Sequence, residues 1–238
     1  MAEPAIPQPA STVVLLRPNG KNGFDVYLNR RPAHLDTYAG VFVFPGGRVE
    51  ESDCSAAMLA LTRGLTASEA QQKLGAASPG QICLGYWVAA VRELFEEVGI
   101  YFLLSDPETS NSASNNIHQR MAERRPLLQN GKISFAELLT AERLYCDLSR
   151  LTYFFHRVTP EHYRVRFDTR FYIAALPPDQ SPLAVSEEVS ESLWISPQLA
   201  LERFAQNDFP MMPPTVMVLR TLTKYRSWTE LRDLFGVC

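Results

Sequence analysis

Hydrophobic and polar positions along this chain follow two different periods, and each period predicts one kind of element. Alternating or continuous runs of β-branched and aromatic residues predict strands, whereas apolar residues spaced three and four apart predict helices. We predict strands at 11–17, 24–30, 43–44, 100–104, 151–158 and 165–176, and a further one ending at 195. We predict helices at 55–63, 66–74, 89–98, 117–128, 134–145, 197–206, 215–225 and 227–235.

Turn and capping residues support several of these boundaries. A cluster of Pro, Asn and Gly at 18–23 connects the first two strands, which predicts a hairpin. Thr66 is followed three residues later by Glu69, and Ser134 is followed by Glu137. This spacing is typical of a capping box, so a helix should begin directly after each hydroxyl residue.

Three carboxylates lie close together in the predicted helix at 89–98. At about 100° per residue, Glu93, Glu96 and Glu97 fall on one helix face, and the apolar residues form a stripe on another side. Glu93 and Glu97 are four residues apart, and such like-charged pairs cost a few tenths of a kcal/mol. Carboxylate oxygens of this kind suit Mg²⁺ or Mn²⁺, which would offset the repulsion. The alternative interpretation is a solvated acidic face.

Two adjacent glycines follow the short predicted strand at 43–44. Gly46 and Gly47 can adopt positive φ and allow the backbone to approach a ligand or a packed helix closely. We therefore predict a tight glycine turn here.

Composition and charge narrow the class of protein. The 238 residues are 46% hydrophobic with a net charge of −3, which indicates a globular chain and gives no reason to expect nucleic-acid binding. No apolar run approaches the ~20 residues of a membrane-spanning helix. The four cysteines show no C-x-x-C spacing and indicate reduced thiols. We expect a cytoplasmic protein that binds neither nucleic acid nor membrane.

The glycine turn and the acidic helix together resemble the two halves of the Nudix box. The helix reads Arg92-Glu93-Leu94-Phe95-Glu96-Glu97-Val98-Gly99-Ile100, which matches the second half of that box at every specified position. The first half runs from Gly47 to an acid six positions later, which is Asp53 here rather than Glu. The resemblance covers roughly residues 11–200 and implies an α/β fold, a Nudix-type α/β/α sandwich with a mixed β-sheet and extra helical insertions.

The two halves of the box are separated here by residues 54–91, far more than the family spacer. A box split at this point resembles the peroxisomal coenzyme A diphosphatase branch of the family. The peptide address S-K-L is missing from the end of this chain, which reads Gly-Val-Cys. The inserted segment, 54–84, could cover the site or pad the side of the domain.

The resemblance implies roles for the residues of the box. Glu93, Glu96, Glu97 and a carbonyl near Gly47 would hold Mg²⁺ or Mn²⁺. Arg92 would orient the acids through a salt bridge to Glu93 or Glu188.

The general base has two candidates, Glu93 and the loop acid Glu188. Glu187 and Glu191 are the alternatives to Glu188 as the acid that faces the metal site or pairs with Arg92. Asp53 would reach the metal through water or would be purely structural.

The substrate implied is a small nucleotide in which a nucleoside diphosphate is linked to another group, with coenzyme A or an acyl-coenzyme A as the leading candidate. Arg30 and Arg31 could contact its phosphates because Arg suits bidentate phosphate binding, although ordinary surface charge is equally consistent. Asp36 stands where the branch has a second Arg, which weakens the assignment to coenzyme A.

We expect one Nudix domain at 11–238 after a frayed lead at 1–10. It would carry the insertion at 54–84, a helical addition at 116–145 and C-terminal helices at 197–235 that could contribute to a homodimer. The alternatives are a catalytically silent nucleotide-binding or sensor module and a purely structural helical protein. The first would be expected to have lost its acidic ligands, and the second leaves the acidic face and the glycines unexplained.

Overall fold

The computed structural model describes residues 4–20, 22–33, 39–75, 78–106, 116–183 and 191–236. Its strands are β1 Gln8–Asn19, β2 Gly23–Arg30, β3 Phe42–Val43, β4 Gly46–Arg48, β5 Thr62–Arg63, β6 Leu103–Ser105, β7 Leu144–Asp147, β8 Thr152–Val158, β9 Phe167–Ala175 and β10 Glu191–Ile195. Its helices are α1 Ala56–Ala60, α2 Ala67–Leu74, α3 Gly80–Val98, α4 Ile117–Gln129, α5 Phe135–Glu142, α6 Pro197–Ala205, α7 Pro213–Leu222 and α8 Trp228–Phe235.

A mixed sheet of seven strands forms the centre of the fold. Its main order is β10-β2-β1-β9-β8, with β3 beside β2 and β4 beside β1. β1 pairs in parallel with β9, whereas β2 and β4 pair with β1 in the antiparallel sense. The predicted hairpin of the first two strands is therefore confirmed.

Both faces of this sheet are covered by helices, because the strands bury side chains in both directions. Val13 and Leu15 of β1 belong to the core beneath α3, while Val14 and Leu16 belong to the core beneath α6, α7 and α8. Successive side chains of a strand point to opposite faces, which explains this division. The predicted α/β/α sandwich with a mixed sheet is confirmed.

A second, three-stranded sheet has the order β5-β7-β6. It includes residues at the ends of two predicted helices, which are therefore shorter than predicted. The helix predicted at 134–145 ends at Glu142, because Arg143 adopts a left-handed conformation with φ of 54°. The helix predicted at 55–63 ends at Ala60 and is followed by β5. In both places pairing with β7 outweighs the local helical preference.

The insertion packs on the first half of α3. Its second helix begins as predicted, with Thr66 and Glu69 forming a capping box. α2 brings the fully buried Ala70 against the N-terminal half of α3, and α1 lies between α3 and α5. The predicted insert boundary at 84 lies inside α3, whose first residue is Gly80.

The first strand and the glycine segment also differ from the prediction. β1 begins at Gln8, so the last three residues of the predicted frayed lead pair with Phe167–Thr169. The predicted glycine turn is instead the start of β4, in which Gly46 pairs with Thr12.

Within the described ranges, none of the helices combines the length and apolar character needed to cross a membrane.

Trp87 is the largest side chain in the core beneath α3 and is 1% exposed. Its ring lies 4.8 Å from that of Tyr172, measured between centroids. We expect Trp87→Ala to lower the free energy of unfolding by about 3–5 kcal/mol, because it leaves a large cavity. Urea denaturation measures this loss. Trp228→Ala, at a partly exposed position, is the matched control, and an equal loss in both variants would contradict the assignment.

Candidate active site

The three acids project from the C-terminal half of α3 because the opposite side of that helix is packed into the core. Leu94 and Val98 are fully buried, whereas Glu93, Glu96 and Glu97 are partly exposed. The predicted arrangement of an acidic face beside an apolar stripe is therefore present.

Arg92 lies buried behind these acids and is held mainly by Asp53. Its Nε and Nη2 each donate to an oxygen of Asp53 at 2.8 Å, and Nη2 also donates to the carbonyl of Arg48 at 2.9 Å. The side chains of Arg92 and Asp53 are 5% and 1% exposed. This bidentate pair joins α3 to the turn at Ser52–Cys54.

Arg92 also contacts two of the acids. Its Nη1 lies 2.9 Å from Oε1 of Glu93 and 3.4 Å from Oε1 of Glu96. Burial by itself would lower the pKa of Arg92, but its hydrogen bonds with Asp53 and the nearby negative charges raise the pKa overall. The guanidinium thus remains charged and all its nitrogens are engaged.

Glu93 occupies a narrow position between α3 and β4. A Cβ atom on Gly47 would overlap the carboxyl group of Glu93, so the absence of a side chain at 47 makes room for the acid. Burial raises the pKa of Glu93 to about 7, and the charge of Arg92 opposes this rise only in part. Burial raises the pKa of Glu96 as well.

Glu97 contacts the other glycine. The amide of Gly46 donates to Oε2 of Glu97 at 3.0 Å. Gly46 has a φ of 153°, and a Cβ atom there would overlap the backbone of Ser11 and Thr12. Glycine is therefore required at 46 by its conformation and by the close approach to β1.

The chemistry of these groups fits a hard divalent cation, since Glu93, Glu96 and Glu97 supply carboxylate oxygens on one partly exposed surface. Among the described residues, no three His, Cys, Asp or Glu side chains converge on one point as a metal site would require. Glu93 and Glu96 instead point towards Arg92. Asp53 is also committed to Arg92.

The other predicted site residues are placed differently. Arg30 donates to the carbonyl of Gly40, pairs with Glu191 and stacks over Phe42, which belongs to the core beneath α6, α7 and α8. It therefore lies on the side of the sheet opposite α3, away from the acids. The assignment of Arg30 to substrate phosphates stays a prediction.

Arg31 continues the pairing of β2 through its backbone, which bonds to Val41 and Gly40. Glu187 and Glu188 lie outside the described residues. Glu191 is the first residue of β10 and pairs with Arg30.

Asp53 as the main partner of Arg92 was not predicted, since the expected partners were Glu93 and Glu188. The Arg92–Glu93 contact is confirmed. The sequence did contain one indication that Asp53 belongs to the site, because Asp53 is the acid in the first half of the box.

Comparisons with known proteins agree with the resemblance drawn from the motif. A family model described as NUDT19 Nudix domain matches residues 62–222, which include Arg92 and the three acids. Acyl-coenzyme A diphosphatase NUDT19 of Gallus gallus is 27% identical over 90% of this chain, and the protein of that name from Xenopus laevis is 25% identical over 90%. The chain spans only 65% and 63% of the length of these two relatives.

A solved structure has a similar fold. The crystal structure of a NUDIX hydrolase from Alicyclobacillus acidocaldarius is 25% identical, and the match covers 94% of each chain with a TM-score of 0.74.

The buried pair of Arg92 and Asp53 allows a stability prediction. Asp53→Asn leaves the guanidinium without its buried countercharge, so we expect the free energy of unfolding to fall by about 3–5 kcal/mol. Urea denaturation at pH 7 checks this value. The matched control is Asp208→Asn, which alters an exposed pair with Arg203 and should change stability little. Equal losses of unfolding free energy in the two variants would show that the buried Arg92–Asp53 pair stabilises the protein no more than an exposed pair does.

Proposed function

Because the chain belongs to the NUDT19 Nudix domain family, we propose that it is a Nudix pyrophosphohydrolase. The bond cleaved is the pyrophosphate of a nucleoside diphosphate linked to another group, and coenzyme A or an acyl-coenzyme A is the leading substrate. The observation that carries this proposal is the surface formed by three carboxylates of α3 against the Gly46-Gly47 segment. The two NUDT19 relatives, described as acyl-coenzyme A diphosphatases, support the substrate class.

A pyrophosphate linkage carries negative charge that repels an attacking hydroxide. We assign Glu93, Glu96 and Glu97 as the residues that would hold Mg²⁺ or Mn²⁺. When bound, such an ion neutralises phosphate oxygens and lowers the pKa of a coordinated water. Because Gly47 has no side chain, the carboxyl group of Glu93 fits beside it. The backbone of Gly47 would lie at the same surface as the bound ion.

Arg92 does not serve as a phosphate clamp in this proposal. Its three nitrogens are already occupied by Asp53, the Arg48 carbonyl, Glu93 and Glu96. Its role is to orient the carboxylates of Glu93 and Glu96 from their buried side.

Glu93 is our first candidate for the group that accepts the proton of water, because its carboxyl group lies in the gap between α3 and Gly47 of β4. Glu188 remains the second candidate. Of the two predicted phosphate-binding arginines, Arg31 is retained, since Arg30 is held on the other side of the sheet.

The alternative is a catalytically silent module of the same fold that binds a nucleotide. The presence of Arg92 and all three acids argues against it, since loss of ligands is the expected mark of such a module. A cytoplasmic location and a homodimer built on the C-terminal helices remain predictions.

A substrate panel tests the proposal directly. Purified protein is incubated with Mg²⁺ or Mn²⁺ and with coenzyme A, an acyl-coenzyme A, ADP-ribose, NADH, dinucleoside polyphosphates or nucleoside triphosphates. We expect cleavage of the coenzyme A compounds and a loss of about 100-fold or more in Glu96→Gln, because a metal ligand is removed. Glu202→Gln, on an exposed position of α6, is the matched control and should keep the wild-type rate.

The possible outcomes separate the two hypotheses. Cleavage of another compound on the panel keeps the hydrolase assignment and changes the substrate. A nucleotide that raises the melting temperature without being cleaved favours the silent module. Turnover that survives in Glu96→Gln would exclude the assigned role of the acidic face.

Gly47→Ala gives a second test of the same surface. The new Cβ would displace the carboxyl group of Glu93, so we expect turnover to fall by about 10-fold or more. The control is Gly131→Ala, where a Cβ meets nothing but the φ of 64° is unfavourable, so stability should fall while turnover persists. Unchanged turnover in Gly47→Ala would contradict the role given to Glu93.

A further inference from the structure

The last turn of α3 carries Glu96 and Glu97 at the end of the helix where acids are least favourable. The final carbonyl groups of a helix have no partner within it and form the negative end of its dipole. Two carboxylates in this turn, with Glu93 one turn earlier, add like-charge repulsion. Without outside contacts this turn would fray, and its carboxylates would lose their fixed directions.

The first and last of the final four carbonyl groups are bonded by backbone amides. The amide of Gly99, which has a left-handed φ of 75°, donates to the carbonyl of Phe95 at 2.9 Å. The amide of Leu183 donates to the carbonyl of Val98, also at 2.9 Å. The carbonyl groups of the two acids between them need other donors.

Arg125 and Gln129 of α4 supply those donors. The Nε of Arg125 lies 2.8 Å from the carbonyl oxygen of Glu96 and 3.1 Å from that of Phe95, and its Nη2 lies 3.2 Å from that of Glu97. The side-chain amide of Gln129 donates to the Glu96 carbonyl at 2.7 Å. One guanidinium thus spans three successive carbonyl groups of the acidic turn.

The choice of residue suits this task. Arginine presents several donors in a rigid plane, whereas lysine presents a point charge on a flexible stem. A cation at a helix C-terminus also compensates the dipole. Arg125 and Gln129 are four residues apart, so one face of α4 meets the end of α3.

We propose that Arg125 is a positioning residue for cation binding by the acids of α3. It fixes the turn that carries Glu96 and Glu97 from the backbone side, so that both carboxylates are held ready for a divalent ion. This inference rests on the proposed function, and it gives the helical addition at 116–145 a part in the chemistry.

Removing Arg125 has two effects on cation affinity, and they act in opposite directions. Removing a positive charge beside three acids should strengthen their attraction for a cation. Removing the contacts that hold the turn should weaken cation binding, because the ligands become less ordered. The direction of the change therefore separates the two effects.

The test measures Mn²⁺ binding to the full, metal-free chain by electron paramagnetic resonance, with no nucleotide present. We expect Arg125→Gln to weaken binding about 10-fold, as loss of groups that orient ligands commonly does. Arg125→Lys keeps the charge and should fall between wild type and Arg125→Gln. Arg124→Gln removes the same charge from the neighbouring residue, which pairs with Glu142 rather than α3, and should bind like wild type.

Hydrogen exchange provides the second readout. The amides at 97–99 should exchange faster in Arg125→Gln than in wild type or Arg124→Gln, because the turn that contains them is released. If Arg125→Gln does not fold, Mn²⁺ binding and hydrogen exchange are both measured on Arg125→Lys instead. Faster exchange with unchanged or tighter Mn²⁺ binding would reduce Arg125 to a structural cap and overturn the proposal.

The same experiment distinguishes failure of the inference from failure of the proposed function. Wild-type protein that binds Mn²⁺ but cleaves no compound on the panel would contradict the function and leave the Arg125 comparison valid. Wild-type protein that binds no Mn²⁺ would overturn the positioning role itself.

Discussion

The buried ion pair between Arg92 and Asp53 is the interaction on which the arrangement of the site depends. Two charged groups taken out of water are costly unless their hydrogen bonds are complete. Here the carboxylate takes two bonds from the guanidinium, which also bonds to the Arg48 carbonyl. The pair fixes α3, β4 and the turn at Ser52–Cys54 relative to one another, so the acids and the glycines meet across a defined gap.

This pair also explains how a motif split by residues 54–91 can still form one site. The entropy cost of closing a chain segment rises only with the logarithm of its length, so a long segment between two bonded residues is tolerated. Much of that segment is ordered as α1, β5, α2 and the start of α3. The two halves of the motif are thus adjacent in space although they are divided along the chain.

The parts of the fold and site that were predictable are those determined by local pattern. The acidic face of α3 follows from the helical period, and the capping boxes at Thr66 and Ser134 follow from side chains three residues apart. The first two residues of β7, Leu144 and Tyr145, were predicted as helix because the pairing partners that make them a strand lie far away in sequence.

The same limit applies to the charged side chains. Arg30 and Arg31 are adjacent in sequence, and the alternation of β2 takes Arg30 to the face away from α3. Asp53 and Arg125 reach the site only through tertiary packing. The sequence of α4 has no feature that would distinguish Arg125 from Arg124 or Arg120 before the helices are placed.

The continuity of α3 across the edge of the insertion sets a rule for how this insertion can vary. An α-helix turns by about 100° for each residue, so one residue added between Trp87 and Val91 would rotate the first half of the helix, with Trp87, relative to the acidic half. Either Trp87 would leave the core or the acids would face the wrong way. Changes of about seven or eleven residues, close to two or three full turns, would nearly preserve the phase. Variation in length is therefore expected in the connecting segments before Gly80, where no rotational register has to be kept.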